Sequence, residues 1–187
     1  FSPTRRSLTP PTNTMGSARV HRATEQAIAA SGQPAVILRN GWYTENHTAA
    51  IGNAVGHGTL IGSAGNGRMA SASRADLAEA AAIILTRDDQ AGKIYDLTGD
   101  TAWTLSELAA EVAAQSGVPI TYADVTAEQY RAILQHADLP EHAVESIVDA
   151  DVAISQGASA HVTEDLRTLP GRPTPPMAAG VASALEG

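Results

Sequence analysis

The feature that most restricts the fold is a junction. Residues 17–31 carry a helical period, with Val20, Ala23, Thr24, Ala27 and Ile28 on one face and Ser17 in position to cap the start. Gly32 stops the pattern, Pro34 cannot extend it, and the run Ala35-Val36-Ile37-Leu38 follows at once. Four apolar residues without alternation read as a buried strand, the habit of parallel sheets. A helix that feeds such a strand directly calls for an α/β layer with parallel strands.

The rest of the chain continues in that style. Residues 1–16, rich in Pro, Ser and Thr, are expected to be loop or disordered. Residues 44–56 read as a loose helix. The turn signal Asn66-Gly67, between "TLIGSA" and "RMASAS", points to a short hairpin. Ser73 is expected to cap a helix over 74–86, with Asp76 favouring its N-terminal dipole. Residues 93–98 read as a strand. Thr104 to Glu107 and Thr126 to Gln129 are capping boxes; the first opens a helix with Leu105, Leu108 and Val112 on one stripe, ended by Gly117. The second opens a helix over Tyr130, Ile133 and Leu134. Residues 119–124 read as a strand, 141–155 as a helix, and a last helix is expected after Pro176.

Composition removes several functions. The 187 residues suffice for one domain with a real core, and with 43% hydrophobic but 4% aromatic residues that core must be mostly aliphatic. The net charge of -8 disfavours nucleic acid and anionic membranes as partners, and no apolar run approaches a membrane span. Arg5 and Arg6 lead into no apolar stretch, so no secretory leader is expected. The absence of Cys excludes disulfides and thiolate-bound metals and fits a cytoplasmic location. His21, His47, His57, His136, His142 and His161 show no metal-ligand spacing, so no metal is expected.

Familiar catalytic patterns fail as well. No Gly-x-Ser-x-Gly elbow occurs, Gly62-Ser63-Ala64-Gly65 being half of one. Gly62, Gly65 and Gly67 surround the expected turn instead of joining a strand to a helix, so they are no phosphate cradle. The sole lysine, Lys93, has Asp89 four residues before it, which excludes the Tyr-x-x-x-Lys pair of short-chain reductases.

What remains is Arg39-Asn40-Gly41-Trp42-Tyr43, just past the apolar run. Ligands of open α/β sheets sit at the carboxyl ends of strands. Gly41 lets the backbone pass close to a ligand, Trp42 and Tyr43 offer flat faces with polar tips, and Asn40 and Asn46 offer amide groups. The segment reads as the rim of a site for a flat ligand. A purely structural reading, with Trp42 anchoring the core and Tyr43 packed on a helix, stands beside it.

Four stretches in order, "LRNGWYTEN", "IGSAGNGRMASASRADLAEAAA", "YDLTGDTAWTLSELAAE" and "GRPT", resemble the NmrA-like atypical short-chain dehydrogenases. Within that family they resemble the NAD(P)H:quinone oxidoreductase type 2 group, related to triphenylmethane reductase. The resemblance runs from about residue 15 to the C-terminus. It implies the C-terminal part of a Rossmann-type NAD(P)-binding fold with a small α+β substrate lobe, spanning residues 17–187. It implies hydride transfer from NADPH (or NADH) to a quinone or similar flat acceptor without flavin. It places Arg39 to Tyr43 beside the nicotinamide, with Arg39 and Asn40 positioning ribose or carboxamide groups. Tyr43, Asn46, Ser71 and Ser73 would face the substrate, with Arg74 on the far wall. His21 and Glu25, in the helix that replaces the Tyr-x-x-x-Lys helix, become the candidates for acid–base work; a structural role for them stays open.

One departure qualifies this. The family begins with a strand, a glycine loop and a helix that hold the pyrophosphate, and these are absent here. Roughly a hundred residues of the family domain are unmatched. The chain is therefore expected to be a fragment, a shortened relative, or one half of a two-chain site. Alone, it would expose a strand edge, self-associate or be poorly stable, with a homodimer among its assemblies. The competing functional reading is a catalytically inactive fragment or a dinucleotide-sensing regulator, as NmrA itself is.

Overall fold

A computed structural model describes residues 16–137 and 139–186. The described chain runs α1 (Gly16–Ser31), β1 (Ile37–Asn40), α2 (Glu45–Thr48), α3 (Ile51–His57), β2 (Thr59–Gly62), α4 (Arg74–Leu85) and β3 (Ile94–Leu97). It continues through α5 (Leu105–Ser116), β4 (Thr121–Asp124), α6 (Ala127–His136), α7 (Glu141–Ser155), α8 (Asp165–Thr168) and α9 (Met177–Glu186). β1 pairs in parallel with β3, Ile37 opposite Ile94, and β2 in parallel with β4, Thr59 opposite Thr121. Parallel strands joined by helical crossovers are the α/β class that the opening junction calls for.

Two apolar cores divide the molecule. One gathers Ile51, Leu60, Met69, Trp103, Leu108, Val112 and Val181, from α3, β2, α5, α9 and the segments between them. The other gathers Leu77, Ile84, Leu97 and Leu166, with Leu38 and Tyr43 packed against it. The segment 69–72 joins them. Met69 exchanges backbone hydrogen bonds with Trp103, Ala72 N–H donates to Trp42, Ala72 C=O accepts from Thr44, and Gly99 N–H donates to Ala70. Packing at this crossing is tight: a Cβ on Gly99 would stand 2.1 Å from the Ser71 carbonyl oxygen.

Several local expectations hold because their causes are local. Ser73 accepts the Asp76 N–H at the start of α4, both capping boxes form, and Gly117 ends α5 in the left-handed region at φ 70°. Others need correction. The first strand covers Ile37–Asn40 instead of 35–38, and its residues are half-buried or exposed, because among the described residues only β3 flanks it. Ser17 lies inside α1 and is not its cap. Over residues 19–31 the apolar face of α1 is uncovered, Val20 being 63% exposed, and only Glu25 and Ile28 are half-buried. Residues 44–56 form two short helices. No hairpin forms around Asn66-Gly67, because β2 pairs with β4 instead of with the following residues. The loop expected over 1–16 lies outside the described residues except for Gly16, which begins α1.

Candidate functional site

The carboxyl end of β1 builds the site. Along the strand, side chains alternate between faces. Leu38 turns to the second core, whereas Arg39 turns to α1. Arg39 Nε and Nη2 donate to Glu25 Oε1 and Oε2 at 2.8 and 2.7 Å, a bidentate pair, and Nη1 lies 3.5 Å from Asp96 Oδ1. The hydrogen bond from Arg39 holds the Glu25 carboxyl below its ordinary range, so Glu25 is a carboxylate at neutral pH. His21 is exposed one turn earlier on α1.

Gly41 admits a close approach, but to the protein itself. Its N–H donates to Leu97 at 2.7 Å, and a Cβ there would stand 2.9 Å from the Leu97 carbonyl oxygen. Past it, Tyr43 bridges to Ala72, and the two aromatics part. Tyr43 packs on the second core and borders an open cleft of about 290 Å³ lined also by Asn40, Arg74, Leu77, Ala78 and Ala81. Trp42 packs against the first core. The single slot implied for both rings is thus divided between two sides of the 42–44 segment.

On the Tyr43 side, the Arg74 guanidinium carbon lies 5.0 Å from the ring centroid, and Nη2 donates to Asn46 Oδ1 at 2.9 Å. Glu45 Oε1 accepts the Arg74 backbone N–H at 2.9 Å, adding a second cap to α4. Ser73 places its hydroxyl against the buried Asp76 carboxylate, which also pairs with Arg172 at 2.8 Å. Asn40, Tyr43, Asn46, Ser73 and Arg74 therefore lie together.

On the Trp42 side, rings stack in sequence. Trp42 is tilted on His47 with centroids 6.3 Å apart, and His47 meets Trp103 edge-on at 5.5 Å. Trp103 Nε1–H donates to Ser71 Oγ at 3.1 Å, and Ser71 Oγ shares a 2.8 Å hydrogen bond with Thr44 Oγ1. Ser71, 7% exposed, is thereby engaged behind the site. Burial lowers the His47 pKa to about 4, so the imidazole is neutral at neutral pH.

The sequence alone does not single out His47, Thr44 or Trp103. His47 looked like one of six scattered histidines. Trp103 is one of only two tryptophans, and that scarcity was the available signal.

The residues of this segment offer polar atoms that a bound dinucleotide would pair. Three buried polar atoms in six residues, Trp42 Nε1, Glu45 Oε2 and His47 Nε2, have no hydrogen-bond partner, which is costly unless a ligand or water pairs with them. Asn40 adds an exposed amide.

No family model matches the chain. The quinone oxidoreductase 2 of Escherichia coli (strain K12) is 42% identical over 171 residues, covering 91% of this chain and 60% of that protein. The crystal structure of the NADPH-dependent quinone oxidoreductase from E. coli complexed with NADPH superposes with a TM-score of 0.89 at 41% identity, over 93% of this chain and 62% of that one. The Citrobacter sp. triphenylmethane reductase complexed with NADP(H) gives a TM-score of 0.88 at 31% identity, over 94% and 62%. The chain therefore spans about three-fifths of the length of these relatives.

Proposed function

We propose, from the premise that this chain is a homologue of the quinone and triphenylmethane reductases, that it contributes the acceptor side of an NADPH-dependent reductase of flat, quinone-like molecules. The observation that carries this reading is the cleft at the end of β1 walled by Tyr43, Asn40 and Arg74, with unpaired buried polar atoms at Trp42, Glu45 and His47 along the same segment.

When bound, NADPH supplies the hydride. The chain's own residues bind, orient and exclude water. Asn40 would hold the carboxamide end at the cleft, Gly41 keeps the backbone pressed on β3, Tyr43 gives the acceptor a flat wall, and Trp42 anchors the segment in the first core. The Glu25–Arg39 pair fixes the strand end from behind, so Glu25 positions Arg39. Residues 17–187 then form the C-terminal portion of the NAD(P)-binding fold with its substrate lobe. A cytoplasmic location and a homodimer belong to the same reading.

Tyr43→Ala tests it. In steady-state NADPH oxidation with a soluble quinone, by this chain joined to the portion of E. coli quinone oxidoreductase 2 that it does not span, the variant is expected to raise KM about tenfold, the worth of a lost stacking wall, with a smaller change in kcat. An unchanged KM would remove Tyr43 from the acceptor site. NADPH binding without quinone reduction would favour the dinucleotide-sensing alternative.

A further inference from the structure

We infer that the cleft beside Tyr43 selects flat acceptors bearing an anionic substituent, and that Arg74 is the residue that reads the charge. The inference deepens the reductase reading and rests on it for the role of the cleft, though its test does not use NADPH.

The cleft has one apolar wall and one cationic corner. Leu77, Ala78 and Ala81 share one face of α4 with Arg74, the helix's first residue, and the Tyr43 ring stands opposite. Two alanines keep that wall shallow, which suits a planar molecule. The guanidinium of Arg74 lies over the ring and is steadied by Asn46. Its charge is not neutralised. Among the described residues, Arg39, Arg68, Arg131 and Arg172 each pair with a carboxylate within 4.0 Å, whereas Arg74, like Arg87 and Arg167, has no such pair, and of these three Arg74 alone lines the cleft. Glu45, the acidic residue beside it, binds the backbone N–H of Arg74 and not its guanidinium.

A guanidinium carries five N–H donors, and Asn46 takes one of them. A neutral quinone in the cleft leaves the others to water. A sulfonate or carboxylate on the same ring system would receive a bidentate, charge-assisted pair from a group already held in place. In a chain of net charge -8, a guanidinium without a carboxylate partner at the mouth of an apolar cleft is a place where an anion is favoured over the surrounding acidic surface.

The test is a calorimetric titration of the 187-residue chain with anthraquinone sulfonate and with neutral hydroxymethylanthraquinone. The sulfonate is expected to bind about tenfold more tightly, the worth of one partly exposed charge-assisted pair, with the margin shrinking as salt rises. Arg74→Gln should erase the preference and Arg74→Lys should keep part of it; Arg74 is exposed, so both variants leave the cores intact. Equal affinities in the unmodified chain, a preference that survives Arg74→Gln, or no binding of either compound would overturn the inference. Failure of the reductase reading looks different: the sulfonate preference would persist while NADPH reduced no quinone.

Discussion

Replacing Trp103 with alanine is expected to lower the unfolding free energy by about 4 kcal/mol, the usual cost of deleting a buried Trp side chain. Trp103 is 5% exposed within the first core, and its loss removes three things at once. The indole body leaves a cavity, the Ser71 hydroxyl loses the donor that fixes it, and His47 loses the face on which its edge rests. Trp103→Phe should recover much of the apolar term but not the hydrogen bond. Urea unfolding followed by circular dichroism measures both. An alanine variant within 1 kcal/mol of the parent, roughly the effect of a surface substitution, would mean that the stack carries no weight.

The second large effect is one of acid. The unfolded chain protonates His47 near its ordinary value of 6.5, while burial lowers the folded value to about 4. Between those values the unfolded state binds more protons, so acidification favours unfolding. The contribution of the neutral, half-buried ring is fully present above pH 6.5 and is lost as pH falls through the folded pKa near 4. It amounts to about 3 kcal/mol over that window. Asp151 acts in the opposite sense, because burial raises its carboxyl and mild acid then favours the folded state. His47→Phe separates the two: it keeps an aromatic ring and removes the proton. The variant's loss of stability between pH 6.5 and 4 should be smaller than the parent's by about that amount, read from urea midpoints at each pH. Parallel losses in the two proteins would show that His47 titrates freely.

What the sequence disclosed was local in origin. Ser73, Thr104 and Thr126 each cap the residues three places on, so the helix starts were legible from a few letters. The helix-to-strand junction at Gly32 and Pro34 likewise disclosed the parallel architecture. The failures have distant causes. Asn66-Gly67 resembles a hairpin turn, yet Gly67 is small because a Cβ there would stand 2.2 Å from the Ile154 carbonyl oxygen at the end of α7. Gly41 resembles a ligand contact, yet the backbone it admits is that of β3.

The site shows the same division. Arg39 to Tyr43 drew attention because aromatics are scarce and a strand ends there. The separation of Trp42 from Tyr43 follows from strand alternation around the Tyr43–Ala72 bridge, a pairing that the sequence does not announce. The place of His47 between two tryptophans is likewise set by distant partners, α9 packed on α2 and Trp103 held by Ser71. Arg74 acquires its meaning only when α4 brings it over Tyr43.

The most direct test of the central claim is an NADPH titration read by tryptophan emission. Trp42 and Trp103 are the only tryptophans, and both lie in the stack beside the proposed nicotinamide position. The protein for this measurement is the present chain joined to the portion of E. coli quinone oxidoreductase 2 that it does not span, with any tryptophan of that portion replaced. Saturable quenching with a micromolar Kd, much reduced by Trp42→Phe, is the expected result. A chimera that unfolds cooperatively, and so is folded, yet leaves its emission unchanged across the titration would contradict the assignment of this segment to the cofactor.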